Sequence, residues 1–438
     1  MASSSNKIMI ATYIYLPDEC WEFVFKFLIE DEYYNPKSLS LVSKQFLSIT
    51  NRLQYSLLVR EEASSFMLRR LFRRFSNLNS IHFPYYTNCI DHLLIQISQF
   101  SLNITSLNLS TYQSEISASG LIPFSQKITT LTSLTCSFLK YTDFNLIAQC
   151  FPLLQELDLS FPKKCSYSIL GELHPLEPLS LALFKLRKVN FTGHSYIDDQ
   201  TLFLLFKNWK FLEEAILFDC YRLTNSGIVS AVAERPTLRS FSFTNYFEPQ
   251  DCSTLPQLES LRQAHNSRLR DERIKVFASV FPNLQLLDLN FCTNISEEGI
   301  FHILRRCCKI KHLNLFSCLK VKLLGMNFET PKLEVLNLSH TPVDDETLYV
   351  ISKNCRRLLQ LLVEHCNDVT GKGVKHVLEN CSQLKEINLR GCLKVHKDLF
   401  PSLVFSRPSL RKIIVPVHYL FSDKELKLMS RQGCLFCK

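Results

Sequence analysis

Glycine is scarce in this chain, at 10 of 438 residues, so there is little material for the glycine-rich loops that cradle phosphates in nucleotide enzymes. Long apolar runs are missing too, and none reaches the ~20 residues that a membrane-spanning helix needs. The catalytic signatures of P-loop proteins, H-E-x-x-H metalloproteases and G-x-S-x-G hydrolases do not occur. Charge of one sign is in modest excess, with 50 Lys and Arg against 41 Asp and Glu. A surplus of that size, spread evenly, specifies no nucleic-acid partner. These absences point away from an enzyme, a cofactor carrier and a membrane protein. The 46% of hydrophobic residues and 21% of charged ones suit a folded, soluble chain.

The chain does carry an internal repeat. The pattern L-x-x-L-x-L is clearest at Leu154-Leu157-Leu159, Leu284-Leu287-Leu289, Ile310-Leu313-Leu315, Leu333-Leu336-Leu338, Leu358-Leu361-Val363 and Leu384-Ile387-Leu389. Weaker copies begin at Leu78, Ile104, Leu131, Leu186, Leu212, Leu238, Leu258 and Leu410, and seven of the thirteen intervals between first positions equal 26 residues. Alternation around L-x-L predicts a short strand whose leucines point inward. A helix follows in most repeats, announced by the capping residues Asp198, Thr224, Ser296, Asp344 and Thr370, with Gly227, Gly299 and Gly373 three residues after three of them. One such unit cannot bury its apolar face alone, so neighbours must stack into a curved array. The expected fold class is α/β: a right-handed solenoid with parallel strands on the concave side and helices on the convex side.

Cysteine follows the same register. Cys220, Cys292, Cys318, Cys366 and Cys392 come just after the strand, and Cys150, Cys307, Cys355 and Cys381 just before the next leucine. Cysteine at a repeated structural position reads as a small buried apolar residue, which suits a reducing compartment. The period with these cysteines resembles the cysteine-containing leucine-rich repeat, and about fourteen copies span 78–416. The N-linked sequons at Asn103, Asn190, Asn294 and Asn337 then follow from the repeat itself. The apolar segment from Ile8 to Leu16 runs into Pro17-Asp18-Glu19 without a small-residue cleavage site, so no signal peptide is expected. The expected location is cytoplasmic and/or nuclear.

Residues 14–52 leave the repeat. Pro17, Asp18 and Glu19 open a helix carrying Trp21, Val24, Phe25 and Leu28 at helical spacing. Pro36 opens another carrying Leu39, Val42 and Phe46. Leu-Pro-Asp-Glu, an aromatic helix and then Ser-Leu-Val-Ser-Lys-x-Phe resemble an F-box, although Phe46 stands where many members have Trp and Ser43 where many have Cys. The whole chain therefore resembles an F-box/leucine-rich-repeat protein of the cysteine-containing, plant-like kind. That resemblance implies docking to a Skp-type adaptor, and through it to a cullin, by Leu16, Pro17, Glu19, Val24, Phe25, Leu28, Leu39, Val42 and Lys44. It also implies a non-catalytic role, selecting a target protein for ubiquitination and proteasomal degradation. A leucine-rich-repeat scaffold or ligand sensor without ligase ties is the alternative. The order expected is an F-box at 14–52, a linker helix or cap at 53–77, the solenoid at 78–416, and a C-terminal cap and tail at 417–438.

The centres of the L-x-L triplets run Asp158, Asn190, Ile216, Ser242, Arg262, Asp288, Asn314, Asn337, Leu362, Asn388 and Ile414. They should line the concave face, and Arg262, Asp288, Asn314, Asn337, Leu362 and Asn388 are the candidate contacts for the target. Arg60, Arg69, Arg70, Arg73 and Arg74 read as a solvated helix face rather than a nucleic-acid site. Cys434 and Cys437 form a lone C-x-x-C with no second pair to complete a zinc site, which reads as a free tail. His340 and His365 share a register in adjacent repeats with no carboxylate in view, which reads as surface; no metal and no cofactor are expected. Irregular repeats are expected at 160–185, where a loop is thrown out, and at 244–257, where a helix has little room.

Overall fold

The computed structural model describes residues 16–30, 36–59, 64–84, 89–110, 117–137, 139, 143–162, 176–244, 253–419 and 421–437. They form two compact units, 1–137 and 138–438. The segment preceding Leu16, Arg60, and most of the two irregular loops (163–175 and 245–252) lie outside the described residues.

The first unit opens with three helices, α1 (Asp18–Glu30), α2 (Pro36–Ser40) and α3 (Lys44–Arg52). Phe25, Ile49 and Leu53 make a small buried core, against which Trp21, Leu28, Leu39 and Phe46 pack. Trp21 and Phe25 each set a ring against Phe46, with centroids 4.7 and 4.8 Å apart. A polar clasp closes the outside. Arg52 donates to Asp18 at 2.8 Å and, through Nε, to Glu22 at 2.9 Å, while Gln45 Nε2 donates to Asp18 Oδ1 at 2.8 Å. Ser43 caps α3 by accepting from the Phe46 amide.

Four parallel strands follow in the same unit: β1 (Ser56–Leu58), β2 (Ser80–His82), β3 (Ser106–Asn108) and β4 (Ser133–Thr135), each paired with the next. Helices α4 (Ser65–Arg74), α5 (Ile90–Ile97) and α6 (Ala118–Lys127) alternate with them. The repeat therefore begins earlier than its leucines announce. Register places Ser56 opposite Ser80, so Gln54 stands where Leu78 stands one unit later, and a polar residue at that first position hides β1 from a leucine search. Within the expected linker, β1 and α4 are a strand and a helix of the repeat kind.

In the second unit the strands are β5 (Glu156–Asp158), β6 (Lys188–Asn190), β7 (Glu214–Leu217), β8 (Ser240–Phe243), β9 (Ser260–Arg262), β10 (Leu286–Asp288), β11 (His312–Asn314), β12 (Val335–Asn337), β13 (Gln360–Leu362), β14 (Glu386–Asn388), β15 (Lys412–Ile414) and β16 (Leu435–Cys437). All neighbours pair in parallel and in sequence order. Each of the fourteen sequence-predicted strands is present, two residues beyond its first leucine. The tail contributes β16, concealed because Gly433 occupies the usual leucine position.

Helices α7 (Phe144–Cys150), α8 (Glu177–Ala182), α9 (Asp199–Asn208), α10 (Asn225–Ala233), α11 (Asp271–Val280), α12 (Glu297–Arg306), α13 (Asp345–Asn354), α14 (Gly371–Asn380), α15 (Leu399–Ser406) and α16 (Asp423–Ser430) supply the other layer. Asp198, Thr224, Ser296, Asp344 and Thr370 each cap a helix through the side chain, as expected. No helix lies between β11 and β12, where turns alone make the connection. None of the described helices is long and apolar enough to cross a membrane.

Candidate functional site

Two surfaces present groups that the folded chain does not consume. The first belongs to the helical module. Once Phe25 is buried and Trp21, Leu28, Leu39 and Phe46 have packed against it, Leu16, Phe23, Val24, Leu41 and Val42 still face solvent. Phe23 is 76% exposed, Leu41 85% and Val42 65%. A domain this small has few apolar residues to spare, which makes the exposed large ones a candidate contact surface. Of the residues implied by resemblance, Leu16, Pro17, Glu19, Val24, Val42 and Lys44 lie at the surface. Phe25 is in the core, while Leu28 and Leu39 line it, so these three hold the module's shape. Phe23 and Leu41 escaped notice in the sequence because they fall off the helical stripe that the core uses.

The second surface is the strand side of the second unit. Arg262, Asp288, Asn314, Asn337, Leu362 and Asn388 form one row in continuous register. Four of the six also have local work. The side chains of Asp288, Asn314, Asn337 and Asn388 each accept a hydrogen bond from the backbone amide two residues on, at 2.9–3.1 Å. These are Asx turns, which end the strand and swing the chain into the loop. Asp158 and Asn190 do the same. Asn388 is only 8% exposed, and Ser242, read from the sequence as outward, is fully buried. Burial raises the Asp288 carboxyl above its ordinary range, opposed by the Asn290 amide and by the charge of Arg262. Leu362 and Arg262 are left as the row members not committed to a turn.

Three residues past the strand centre, whether or not that centre makes an Asx turn, the backbone is left-handed: Phe161, Gly193, Asp219, His265, Phe291, Ser317, His340, His365 and Gly391 have φ between 54° and 86°. Non-glycine residues rarely adopt this conformation. Most of these amides donate to a carbonyl of the following repeat, as from His340 to Glu364 (2.8 Å) and from His365 to Arg390 (2.7 Å), while the Asp219 amide donates to the Thr244 hydroxyl. The result is a ladder of rings along one edge of the sheet. His265 stacks on Phe291 at 4.5 Å, Phe291 meets Phe316 at 5.1 Å, Phe316 meets His340 at 4.9 Å, and His340 meets His365 at 4.7 Å. A cavity of about 600 Å³, lined by Asp219, Tyr221, Thr244, His265, Asn266 and Arg268 among others, opens at the same edge. The ladder was not legible beforehand, because its phenylalanines and histidines come from two different positions of the repeat.

Cys150, expected among the buried cysteines, is only half-buried, and Phe151 takes the buried position instead. Arg74 Nε donates to Asn51 Oδ1 at 2.8 Å, which ties α4 to α3.

No protein-family model matches the chain. Among curated proteins it is 25% identical to F-box/LRR-repeat protein 4 of Bos taurus over 176 residues, which is 37% of this chain and 27% of that protein. It is also 25% identical to the BTB/POZ domain-containing protein FBL11 of Arabidopsis thaliana, over 69% of this chain and 32% of that one. A third relative, antagonist of mitotic exit network protein 1 of Candida glabrata, is 26% identical over 27% of this chain and 24% of its own length. The chain thus spans about a third or less of the length of these relatives. Among solved structures, the yeast Rad7–Elc1 complex aligns at 16% identity and TM-score 0.45, covering 96% of this chain and 91% of the matched one. The leucine-rich-repeat protein LegL7 of Legionella pneumophila aligns at 13% identity and TM-score 0.43, covering 72% and 93%. By its repeat geometry the chain is an α/β leucine-rich-repeat solenoid, and by its sequence it is similar to F-box/leucine-rich-repeat proteins.

Proposed function

We propose that this chain is a non-catalytic substrate-recognition subunit of an SCF-type ubiquitin ligase. In this reading the helical module docks on a Skp-type adaptor, which connects it to a cullin, and the strand side of the repeats holds the target protein. The observation that carries it is the module's division of labour: Phe25, Ile49 and Leu53 close a core, while Leu16, Phe23, Val24, Leu41 and Val42 remain outside it. Burying a leucine or phenylalanine contributes about 1.5–3 kcal/mol, so these five side chains together can offset a large part of the cost of association. The similarity to an F-box/LRR-repeat protein supports the same reading. The chemistry of transfer would then belong to another subunit, and this chain would fix the target's position.

The test is co-purification of the full chain with a Skp-type adaptor and its cullin. Wild type should retain both, and the L16A/P17A variant should lose both while keeping its circular dichroism spectrum. An adaptor that stays away from wild type would favour a scaffold or ligand sensor without ligase ties.

A further inference from the structure

We infer that His340, Glu364 and His365 form a binding site for one divalent transition cation of the zinc, cobalt or nickel class. Their donor atoms lie within 4.8 Å of one another, and His365 Nε2 is 3.9 Å from Glu364 Oε1. Among the described residues no other three such side chains converge in this way. Two imidazoles and a carboxylate are a nitrogen–oxygen donor set that suits borderline ions better than calcium or magnesium, which prefer oxygen alone. Bonds of about 2.0–2.2 Å to a tetrahedral ion would set the donors roughly 3.3 Å apart, so binding would draw them in from separations of up to 4.8 Å.

The surroundings hold the three groups near one another. Asn388 Nδ2, on a buried side chain, donates to Glu364 Oε2 at 3.1 Å, which leaves Oε1 toward His365. An outer hydrogen bond that orients a ligating carboxylate is a recurrent feature of metal sites. The Glu364 amide donates to Ser339 Oγ at 3.1 Å, and the His340 amide donates to the Glu364 carbonyl at 2.8 Å, so the backbones of the two repeats are pinned together. Phe316 packs against the His340 ring. On the far side the His365 imidazole lies where a Cβ on Gly391 would be, so only glycine there lets the ring take this place. Both histidines adopt left-handed backbones, at φ 57° and 54°, which aims two consecutive rungs of the ladder the same way. Three protein donors leave the remaining coordination positions to water.

The pair of histidines was visible in the sequence, but the carboxylate was not. Strand alternation would put Glu364 and His365 on opposite faces, whereas these residues lie past the strand end, where the left-handed turn cancels the alternation.

The experiment titrates Zn²⁺ and Co²⁺ separately into the untagged full chain, with calorimetry for stoichiometry and visible absorption of the cobalt form for donor type. One equivalent should bind with a nitrogen–oxygen spectrum lacking thiolate charge-transfer bands. Affinity should fall at least tenfold in E364Q and be lost in the H340N/H365N double variant; Asn tolerates the left-handed backbone, so the fold is kept, as circular dichroism would verify. Absence of saturable binding would overturn the inference, as would binding that survives H340N/H365N or shows thiolate bands, since either places the ion elsewhere.

Discussion

Single residues show how the repeat signature is satisfied. The post-strand cysteines all donate from Sγ to a backbone carbonyl 28 or 29 residues back: Cys292 to Gln263 at 3.0 Å, Cys318 to Leu289 at 3.1 Å, Cys366 to Leu338 at 3.2 Å, Cys392 to Val363 at 2.9 Å and Cys220 to Phe191 at 3.4 Å. The sequence showed cysteine at a fixed place and implied a small buried residue. It could not show that the thiol is also a donor between repeats. Burial pushes the thiols of Cys220, Cys292, Cys318 and Cys392 up to about 12, and that of Cys366 to about 11. A thiol-specific reagent on the native chain at pH 8 should therefore label Cys20, Cys89 and Cys308, which are exposed, and spare these five until denaturant is added. Peptide mapping checks this, and native labelling of Cys292 or Cys392 would contradict it.

His194 gives a pH-dependent expectation at the same scale. It is fully buried, its Nδ1 lies 2.8 Å from the Tyr196 hydroxyl and its Nε2 2.7 Å from the Leu159 carbonyl. Desolvation lowers its pKa from 6.5 to about 4 despite the carbonyl bond, so the folded state refuses a proton that the unfolded chain accepts. Its contribution is intact above pH 6.5 and is lost as pH falls toward 4, at about 1.4 kcal/mol per pH unit across that window. In H194Q that part of the pH dependence should vanish, so the two stability curves from denaturant titrations should converge on acidification. Parallel curves between pH 7 and 4 would contradict the assignment.

At the scale of elements, a clamp joins successive helices. Asp345 at the start of α13 accepts from both the amide and the hydroxyl of Thr370, the cap of α14, at 2.7 and 2.6 Å. Asp271 does the same to Ser296 at 2.8 and 2.6 Å, and Asp91–Ser117 and Asp199–Thr224 repeat the arrangement. The glycines noted in the sequence now have a cause. A Cβ on Gly299 or Gly373 would sit 2.5 Å from the clamp aspartate, so the space is reserved for the carboxylate. Gly373→Ala should destabilise the chain by about 1–3 kcal/mol through overpacking. Asp345→Ala should cost a similar amount by stripping three charge-assisted bonds, the third from the Gly373 amide. The double variant should fall well short of the sum in thermal unfolding, because both changes break one device. Full additivity would refute the clamp. Strand positions were readable from sequence because inward leucines recur, whereas β1 and β16 were missed where Gln54 and Gly433 replace that leucine, and the turns between β11 and β12 replace a helix that no capping residue had announced.

For the whole molecule, sequence periodicity determines a great deal about architecture and less about recognition. Leucines every 26 residues or so leave stacking as the way to bury their face, and all fourteen leucine-marked strands follow from that. The recognition surfaces depend on what the fold leaves unused. Asp288, Asn314, Asn337 and Asn388 turn out to cap their own loops, Phe25 is core, and Phe23 and Leu41 are the exposed groups. Under the proposed function, L362D or R262E should weaken target capture and leave adaptor binding unchanged; a pull-down of each partner separates the two surfaces. The proposal that the helical module is an adaptor dock is tested most directly by calorimetric titration of a purified Skp-type adaptor into the full chain and into L41D/V42D. Because both side chains face solvent, the variant should fold as wild type does. One-to-one saturable binding to wild type and a loss of at least a hundredfold in the variant is the expected result, and equal affinity for both, or no binding to wild type, would contradict it.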